Sequence, residues 1–186
     1  MPIVKTCLQP IPGEGIQLRL LTEQDLALTL AWRNRDEARC QFRHSEKIAM
    51  NDHQAWFARQ QSLHDRYYFI VENNDGHQAI GQVGIYNIDV QTQSAEVGTF
   101  VVAPESAGRG LMKRGINTLT DWAFDVLKLT RVTLQVFATN HRAIRLYEAC
   151  GFSRFGQIGE MLLMQRYCRG YNVSDNMPEP RTSSGV

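Results

Sequence analysis

Hydrophobic residues recur along this chain with two different periods, and each period marks one kind of element. Short segments rich in β-branched and aromatic residues are typical of strands, while apolar residues three and four apart are typical of helices. Seven strands are predicted on this basis, at residues 16–21, 67–72, 80–89, 94–102, 131–137, 152–155 and 161–167. Helices are predicted after Thr22, after Asn51, beyond Pro104 and after Asn140.

Two of these elements also indicate which of their sides is buried. In the helix beyond Pro104 an apolar stripe recurs at helical spacing, formed by Met112, Ile116, Leu119, Ala123 and Val126. The helix is therefore expected to cover a core. In the strand at 94–102 alternate residues point the same way, which predicts a common face for Glu96, Gly98, Phe100 and Val102.

The order of the elements indicates the fold class. One or two helices come first, followed by a run of antiparallel strands, and then by strand, helix, strand, helix and strand. This order predicts a mixed α/β domain in which helices flank both faces of a central, mostly antiparallel sheet of about seven strands. Residues 1–170 are expected to form this one domain, and the polar, proline-containing residues 171–186 predict a disordered tail.

Composition narrows the classes of function. The 186 residues carry a formal net charge of +1, so no broad basic field attracts nucleic acid or an anionic membrane. The four cysteines form no C-x-x-C pair and the histidines have no ligand spacing, so no metal site is expected. The start lacks the apolar run of a signal peptide and no stretch is long enough to span a membrane, which predicts a cytoplasmic protein.

A glycine-containing turn joins the strand at 94–102 to the helix beyond it, through Ala107, Gly108, Arg109 and Gly110. Glycines let the backbone approach a ligand, and the first amides of a helix have no partners inside the helix. Such a turn can hold a pyrophosphate without net basic charge. It is equally an ordinary sharp connection, since it matches neither G-x-x-x-x-G-K-[ST] nor G-x-G-x-x-G.

The segment NHRAIRLYEACGF, from Asn140 to Phe152, resembles the N-x-x-A-x-x-[LF]-Y-x-x-x-G-F motif of GNAT acetyltransferases. That family's loop, [QR]-x-x-G-x-[GA], aligns with Ala107 to Met112, although these two end residues depart from it. AEVGTFV and the WRN at residues 32–34 resemble the RimJ/RimL-like branch and nucleotide-aminosugar N-acetyltransferases. The resemblance extends over roughly residues 16–167.

The resemblance implies a GNAT fold whose sheet is splayed where acetyl-CoA, the co-substrate, binds. It implies that Tyr147 is a general acid beside the thioester sulfur and that Glu96 is the base for the amine. The residues it assigns to acetyl-CoA binding are Phe100, Val101, Val102, Ala107, Gly108, Arg109, Gly110, Leu111, Met112, Lys113, Asn140 and Ala143. Trp32 and Arg33 are assigned to the acceptor amine.

Each of these residues also has an ordinary structural interpretation. Tyr147 lies on an apolar helical stripe and is a candidate core residue. Asn140 is a preferred N-cap, a role compatible with holding the pantetheine arm. Glu96 could pair with a nearby base while solvent takes the amine proton, and Trp32 could simply pack while Arg33 is solvated.

The function expected is acetyl transfer from acetyl-CoA to a primary amine of a small molecule, for which a nucleotide-linked aminosugar is one candidate, by direct attack in a ternary complex. The alternatives are a protein N-terminus as acceptor and an acyl-CoA-binding domain without turnover. A polyamine acceptor would require an acidic pocket. A homodimer is considered, and neither nucleic acid nor membrane is expected as a partner.

Overall fold

The computed structural model of the protein describes residue 5 and residues 8–171. The strands are β1 (Ile11–Gly13), β2 (Ile16–Leu20), β3 (Tyr67–Asn73), β4 (Ala79–Asp89), β5 (Ser94–Val102), β6 (Arg131–Phe137), β7 (Ser153–Ile158) and β8 (Met161–Tyr167). The helices are α1 (Leu26–Arg33), α2 (Asp36–Arg39), α3 (Met50–Ser62), α4 (Leu111–Asp125) and α5 (His141–Ala149). Within the described ranges, no helix is long and apolar enough to cross a membrane. The predicted tail lies outside the described residues except for Tyr171.

All eight strands form one sheet, in the order β1-β2-β3-β4-β5-β6-β8-β7. Neighbouring strands run antiparallel except β5 and β6, which are parallel. The predicted mixed α/β fold is confirmed, with one strand more than expected. The extra strand, β1, has only three residues and contains Pro12, so no alternation could reveal it.

Helices cover both faces of this sheet, as predicted. On one face Trp122 of α4 makes edge contacts with the rings of Tyr67 and Phe69, and α5 packs beside α4. On the other face Trp56 of α3 contacts the ring of Tyr68. Alternate residues of β3 thus contact opposite layers, as the period of two requires.

The apolar stripe of α4 is largely confirmed. Ile116, Leu119 and Ala123 are fully buried and Met112 packs partly buried against them. Val126 is an exception, because its side chain is 50% exposed. The helix has ended by then, at Asp125, so the helical spacing no longer decides where the next side chain points.

A bulge in β5 changes the face on which its residues lie. One residue of β4, Val83, stands opposite two residues of β5, Thr99 and Phe100. Thr99 has a φ of +51°, and the extra residue reverses the alternation of the strand. The predicted common face of β5 is therefore wrong: Glu96 and Gly98 lie on the α3 side, and Phe100 and Val102 on the α4 side.

The two parallel strands separate soon after they meet. β5 pairs with β6 only from Ser94 to Glu96, opposite Arg131 to Thr133. Beyond Thr133, β6 continues to pair with β8 as far as Phe137. The sheet is thus split between the second halves of β5 and β6, and we call this gap the β5–β6 opening.

The terminal hairpin is confirmed with a shorter turn than predicted. β7 extends to Ile158, so the turn contains only Gly159 and Glu160 rather than the four residues from Gln157 to Glu160. Gly159 has a φ of +55°, which allows this tight connection.

Candidate active site

The glycine loop, residues 107–110, lies where the β5–β6 opening meets the start of α4. Gly108 and Gly110 have φ angles of +79° and +74°, and no atom lies within 4 Å of a Cβ placed on either residue. The left-handed backbone, rather than crowding, is therefore the reason for glycine here. Gly110 is also the N-cap residue of α4.

The amides of this turn are available to a ligand. Within the described part of the chain, the amides of residues 108–113 donate no hydrogen bond, and the first helical bond is donated by the Arg114 amide to the Gly110 carbonyl, at 3.4 Å. The last four of these amides, those of residues 110–113, are the unpaired amides at the positive end of a helix of 15 residues. Arg109 and Lys113 are exposed beside them. This arrangement fits a pyrophosphate.

The edge of β5 supplies further main-chain groups. The Ala103 amide donates to the Ile80 carbonyl of β4 at 2.9 Å, so by strand alternation the groups of Val101 also face β4. The main-chain N–H and C=O groups of Phe100 and Val102 therefore face the β5–β6 opening. The Val102 carbonyl already accepts a hydrogen bond from Arg35 Nη2 at 2.7 Å. Of the three predicted residues, Phe100 and Val102 are thus placed to meet a pantetheine arm, and Val101 is not.

Tyr147 lies beside the same opening. Its ring packs 5.6 Å from the Phe100 ring and 6.2 Å from the Phe152 ring, between centroids. Burial, with a smaller contribution from Cys150, raises the pKa of the phenol above its ordinary value. Its hydroxyl makes no hydrogen bond to the described residues, and, unlike Nη1 of Arg33, it is not completely buried. A protonated and unpaired phenol is available as a donor to a ligand.

Asn140 has the N-cap role expected of it. The Ala143 amide donates to its Oδ1 at 3.1 Å, at the first turn of α5. This bond fixes the start of the helix that carries Tyr147, four residues of which face the core. The contact of Asn140 and Ala143 with the donor remains a prediction.

Glu96 stands at the closed end of the opening, opposite Thr133, in the last β5–β6 pair. The Tyr86 hydroxyl donates to its carboxylate at 3.3 Å and the Asn87 amide at 3.4 Å, both long bonds. Burial first, and then the charge of Glu96, raise the pKa of the Tyr86 phenol. Glu96 has no salt-bridge partner among the described residues, so the alternative of a strand-edge ion pair does not apply.

A cavity of about 220 Å³ lies on the α3 side of the sheet, and we call it the α1–α3 pocket. The bulge residue Thr99 and its neighbour Val101 form one wall, so the pocket adjoins the strand that borders the opening. His53 and Trp56 of α3 form another wall, with their rings stacked at 5.3 Å. None of the described residues that line it is Asp or Glu.

The three residues of the WRN segment have three different roles. Trp32 is 4% exposed and packs with Val101 and Ala103 in a second small core. It therefore does not line the pocket, although the resemblance assigned it to the acceptor amine. Arg33 does line it. Asn34 exchanges two hydrogen bonds with the main chain of Ile48, at 2.8 and 2.9 Å, and so fixes the segment between α2 and α3.

Most of the pocket could not be found in the sequence. His53, Trp56, Gln82 and Thr99 come from α3, β4 and β5, and no spacing in the chain connects them. Arg35, which holds the edge of β5, was also missed. Among the described residues, no group of three or more His, Cys, Asp or Glu is arranged to hold a metal ion.

Comparisons with known proteins agree with this geometry. The model of the acetyltransferase (GNAT) domain family matches residues 16–153. Acetyltransferase PseH of Campylobacter jejuni is 27% identical over 152 residues, which are 80% of this chain and 92% of that protein. Spermidine N(1)-acetyltransferase of Vibrio cholerae is 36% identical over 92 residues, 50% of this chain, so this alignment spans only 52% of that relative.

A solved structure shows the same fold. The Vibrio cholerae spermidine N-acetyltransferase, crystallised with CoA and spermine, superposes with a TM-score of 0.74 at 25% identity, over 82% of this chain and 95% of that one. The family match covers more than half of the chain, and the glycine loop and the opening fit the donor that this family uses. The chain therefore belongs to the GNAT family and is an N-acetyltransferase with acetyl-CoA as its co-substrate.

Proposed function

We propose that this enzyme acetylates a primary amine of a small molecule, by direct attack of the amine on acetyl-CoA in a ternary complex. One observation carries the proposal. The α1–α3 pocket and the β5–β6 opening are built on the same stretch of β5, so an amine in the pocket is next to a thioester in the opening. Holding both reactants together removes most of the entropic cost of their encounter.

The chain's residues are suited to each proton transfer in this reaction. The amine nitrogen attacks the carbonyl carbon, the C–S bond breaks, and the amine proton passes to Glu96 directly or through water. The main-chain amides along the edge of β5 stabilise the developing oxyanion. Tyr147 donates its hydrogen bond to the departing thiolate. Because its pKa is raised, the phenol keeps its proton at neutral pH and stabilises the thiolate chiefly as a donor.

The pocket favours a small acceptor that is not a polycation. Its volume of about 220 Å³ and its lining by side chains of α1, α3, the segment between α2 and α3, β4 and β5 suit a small acceptor. A polyamine needs carboxylates to bind its charges, and none lines the pocket among the described residues. Relatives named spermidine acetyltransferases support small-amine chemistry. We favour a nucleotide-linked aminosugar as the acceptor, because AEVGTFV and the WRN at residues 32–34 resemble nucleotide-aminosugar N-acetyltransferases.

Acetyl transfer to a panel of amines tests the proposal. The panel contains spermidine, free aminosugars, nucleotide-linked aminosugars and a short peptide with a free N-terminus. Thiol release is measured with acetyl-CoA, hydrolysis without acceptor is subtracted, and N-acetyl products are identified by mass spectrometry. Turnover of a small amine is the expected result. Turnover of the peptide alone, or of no amine, would contradict the proposal.

We also propose that the enzyme self-associates. The Vibrio cholerae spermidine N-acetyltransferase forms a dodecamer in one of its structures. Sedimentation velocity at micromolar concentration tests this, and a monomer throughout would contradict it.

A further inference from the structure

Among the part-buried arginines of the described residues, Arg33, Arg35 and Arg131 have no carboxylate partner, and Arg33 is the one of these three with a buried nitrogen that makes no hydrogen bond. Arg19, Arg66 and Arg166 each have a carboxylate oxygen within 2.8 Å of a guanidinium nitrogen. Arg33 has no carboxylate partner among the described residues, although it is the one charged side chain that lines the α1–α3 pocket there. A buried guanidinium nitrogen without any partner is unusual.

One terminal nitrogen of the Arg33 guanidinium donates a hydrogen bond, and the other makes none. Its Nη2 donates to the His44 carbonyl at 2.6 Å, and its Cζ lies 3.8 Å from the centre of the Phe42 ring. Its Nη1 is buried and has no hydrogen-bond partner. Burial lowers the pKa of Arg33 below its ordinary value, yet an arginine stays charged at physiological pH. A buried and unpaired N–H of a charged group is costly unless a ligand completes it.

The neighbouring groups add no second charge. Thr29 Oγ lies 3.0 Å from the Asp25 carbonyl, to which it donates, and forms a 3.1 Å hydrogen bond with His53 Nε2. Burial lowers the pKa of His53, which therefore stays neutral near pH 7. The electrostatic character of the pocket is set by Arg33 alone. This field repels a polycation and attracts an anion.

We propose that the acceptor carries an anionic oxygen, that of a phosphate ester, and that this oxygen binds Nη1 of Arg33 in the α1–α3 pocket. The inference deepens the proposed function and rests on it for the identity of the ligand as the acceptor. Guanidinium is the side chain best suited to phosphate, because it offers a rigid fork of donors. Because Nη1 is buried, the groups around it must move as the oxygen enters.

The test compares three candidate acceptors, each of which adds chemical groups to the one before. Glucosamine has the amine alone, glucosamine 1-phosphate adds the phosphate, and UDP-glucosamine adds the second phosphate and the base. Binding of each is measured by calorimetry on the full-length, CoA-loaded protein, and turnover by thiol release. The variants are Arg33→Gln, which removes the charge, and Arg33→Lys, which keeps the charge without the fork. Arg154→Gln, at an exposed arginine of β7, is the matched control.

The expected result has three parts. The wild type binds glucosamine 1-phosphate at least about 10-fold more tightly than glucosamine, as a charge-assisted hydrogen bond allows. Arg33→Gln abolishes this preference, and Arg33→Lys restores part of it. For whichever phosphorylated amine turns over, KM rises about 10-fold in Arg33→Gln while kcat and the KM of acetyl-CoA stay within about 2-fold, as expected for lost binding alone. Arg154→Gln behaves as the wild type.

The two proposals fail in different ways. Turnover of an uncharged or cationic amine with the same KM in wild type and Arg33→Gln would overturn the anion subsite and leave the acetyltransferase activity intact. Phosphate-dependent binding that needs Arg33, without turnover of any amine, would support the subsite and overturn the proposed acceptor chemistry. If millimolar phosphorylated amine bound the wild type no better than glucosamine, the subsite would also be overturned. A gain only from glucosamine 1-phosphate to UDP-glucosamine, unaffected by Arg33→Gln, would overturn the role of Arg33 and assign recognition to the second phosphate and the nucleoside.

Discussion

The two sides of the β5–β6 opening are built in different ways. The donor side consists of main chain: the glycine loop, the first amides of α4 and the edge of β5. The acceptor side consists of side chains that α1, α3 and β4 bring together around the bulge in β5. A main-chain site is specified by a few local residues that fix backbone angles, so it can be shared by a whole family. A side-chain site depends on the assembled fold, so it can change with the substrate.

The largest expected effect is on the donor side, at Tyr147. Tyr147→Phe removes only the hydroxyl, so kcat is expected to fall about 100-fold or more, as for loss of a general acid. The dissociation constant of acetyl-CoA is expected to change little, because the ring still packs on Phe100 and Phe152. Steady-state kinetics and calorimetry check this. Equal losses of kcat and affinity would assign Tyr147 a packing role.

Arg19, which is paired, and Arg33, which lines the acceptor pocket unpaired, are expected to contribute differently to the free energy of unfolding. Arg19 is paired with Asp25 and Glu72, whose side chains are each 8% exposed, so Arg19→Gln is expected to lower the free energy of unfolding by about 3 kcal/mol. Arg33→Gln removes an unpaired cation and is expected to leave stability unchanged or to raise it. Urea denaturation measures both. A large loss of stability in Arg33→Gln would mean that its other contacts hold the fold.

The ion pair between Arg19 and Asp25 also predicts how the free energy of unfolding depends on pH. Burial alone would raise the pKa of Asp25, but hydrogen bonds from Arg19 and Thr22 outweigh it, and the folded pKa is lowered. Its contribution to stability is therefore present above the unfolded pKa of about 3.9 and is lost as the pH falls below that value. The difference in stability between wild type and Arg19→Gln is expected to be full above about pH 4 and to shrink as the pH falls further, because the unfolded chain then takes up a proton that folded Asp25 resists. A constant difference would contradict this assignment.

A smaller effect is expected from the glycine loop. Valine at Gly110 strains a left-handed backbone by about 1–2 kcal/mol and moves the first amides of α4, so acetyl-CoA affinity is expected to fall about 10-fold. Gly76 has a φ of +81° and equally open surroundings in the β3–β4 turn, far along the chain from this loop. Gly76→Val is the matched control. It is expected to lose similar stability and no affinity, and an equal loss of affinity would argue against the glycine loop as the donor site.

The smallest expected effect is a difference in alkylation rate between the thiols of Cys40 and Cys150. Cys150 directly follows α5 and is buried, and burial raises the pKa of its thiol to about 11. Cys40 is exposed, in the segment that borders the acceptor side. Iodoacetamide at pH 8 is expected to label Cys40 readily and Cys150 only on unfolding, because the thiolate is the reactive form. Mass spectrometry of digested protein identifies the labelled residue. Rapid labelling of native Cys150 would mean that α5 opens easily.

The sequence predicted the donor side better than the acceptor side for a physical reason. Gly108, Gly110 and the N-cap Asn140 act through local backbone geometry, which leaves a pattern of adjacent residues. The bulge at Thr99 was missed although Gly98 precedes it, because the positive φ falls on the threonine and the period of two was applied to the whole strand; the bulge reversed the predicted face of half of β5. Nor could spacing show that Trp32 is buried while its neighbour Arg33 lines the pocket, because that depends on how α1 sits on the sheet.

The central claim is that the glycine loop and the edge of β5 place the donor's sulfur at Tyr147. A crystal structure of the complex with CoA tests it most directly. The predicted result is a pyrophosphate on the amides of residues 108–113, with the sulfur within about 3.5 Å of the Tyr147 hydroxyl. A CoA molecule bound elsewhere, or a sulfur that no part of Tyr147 approaches, would contradict it.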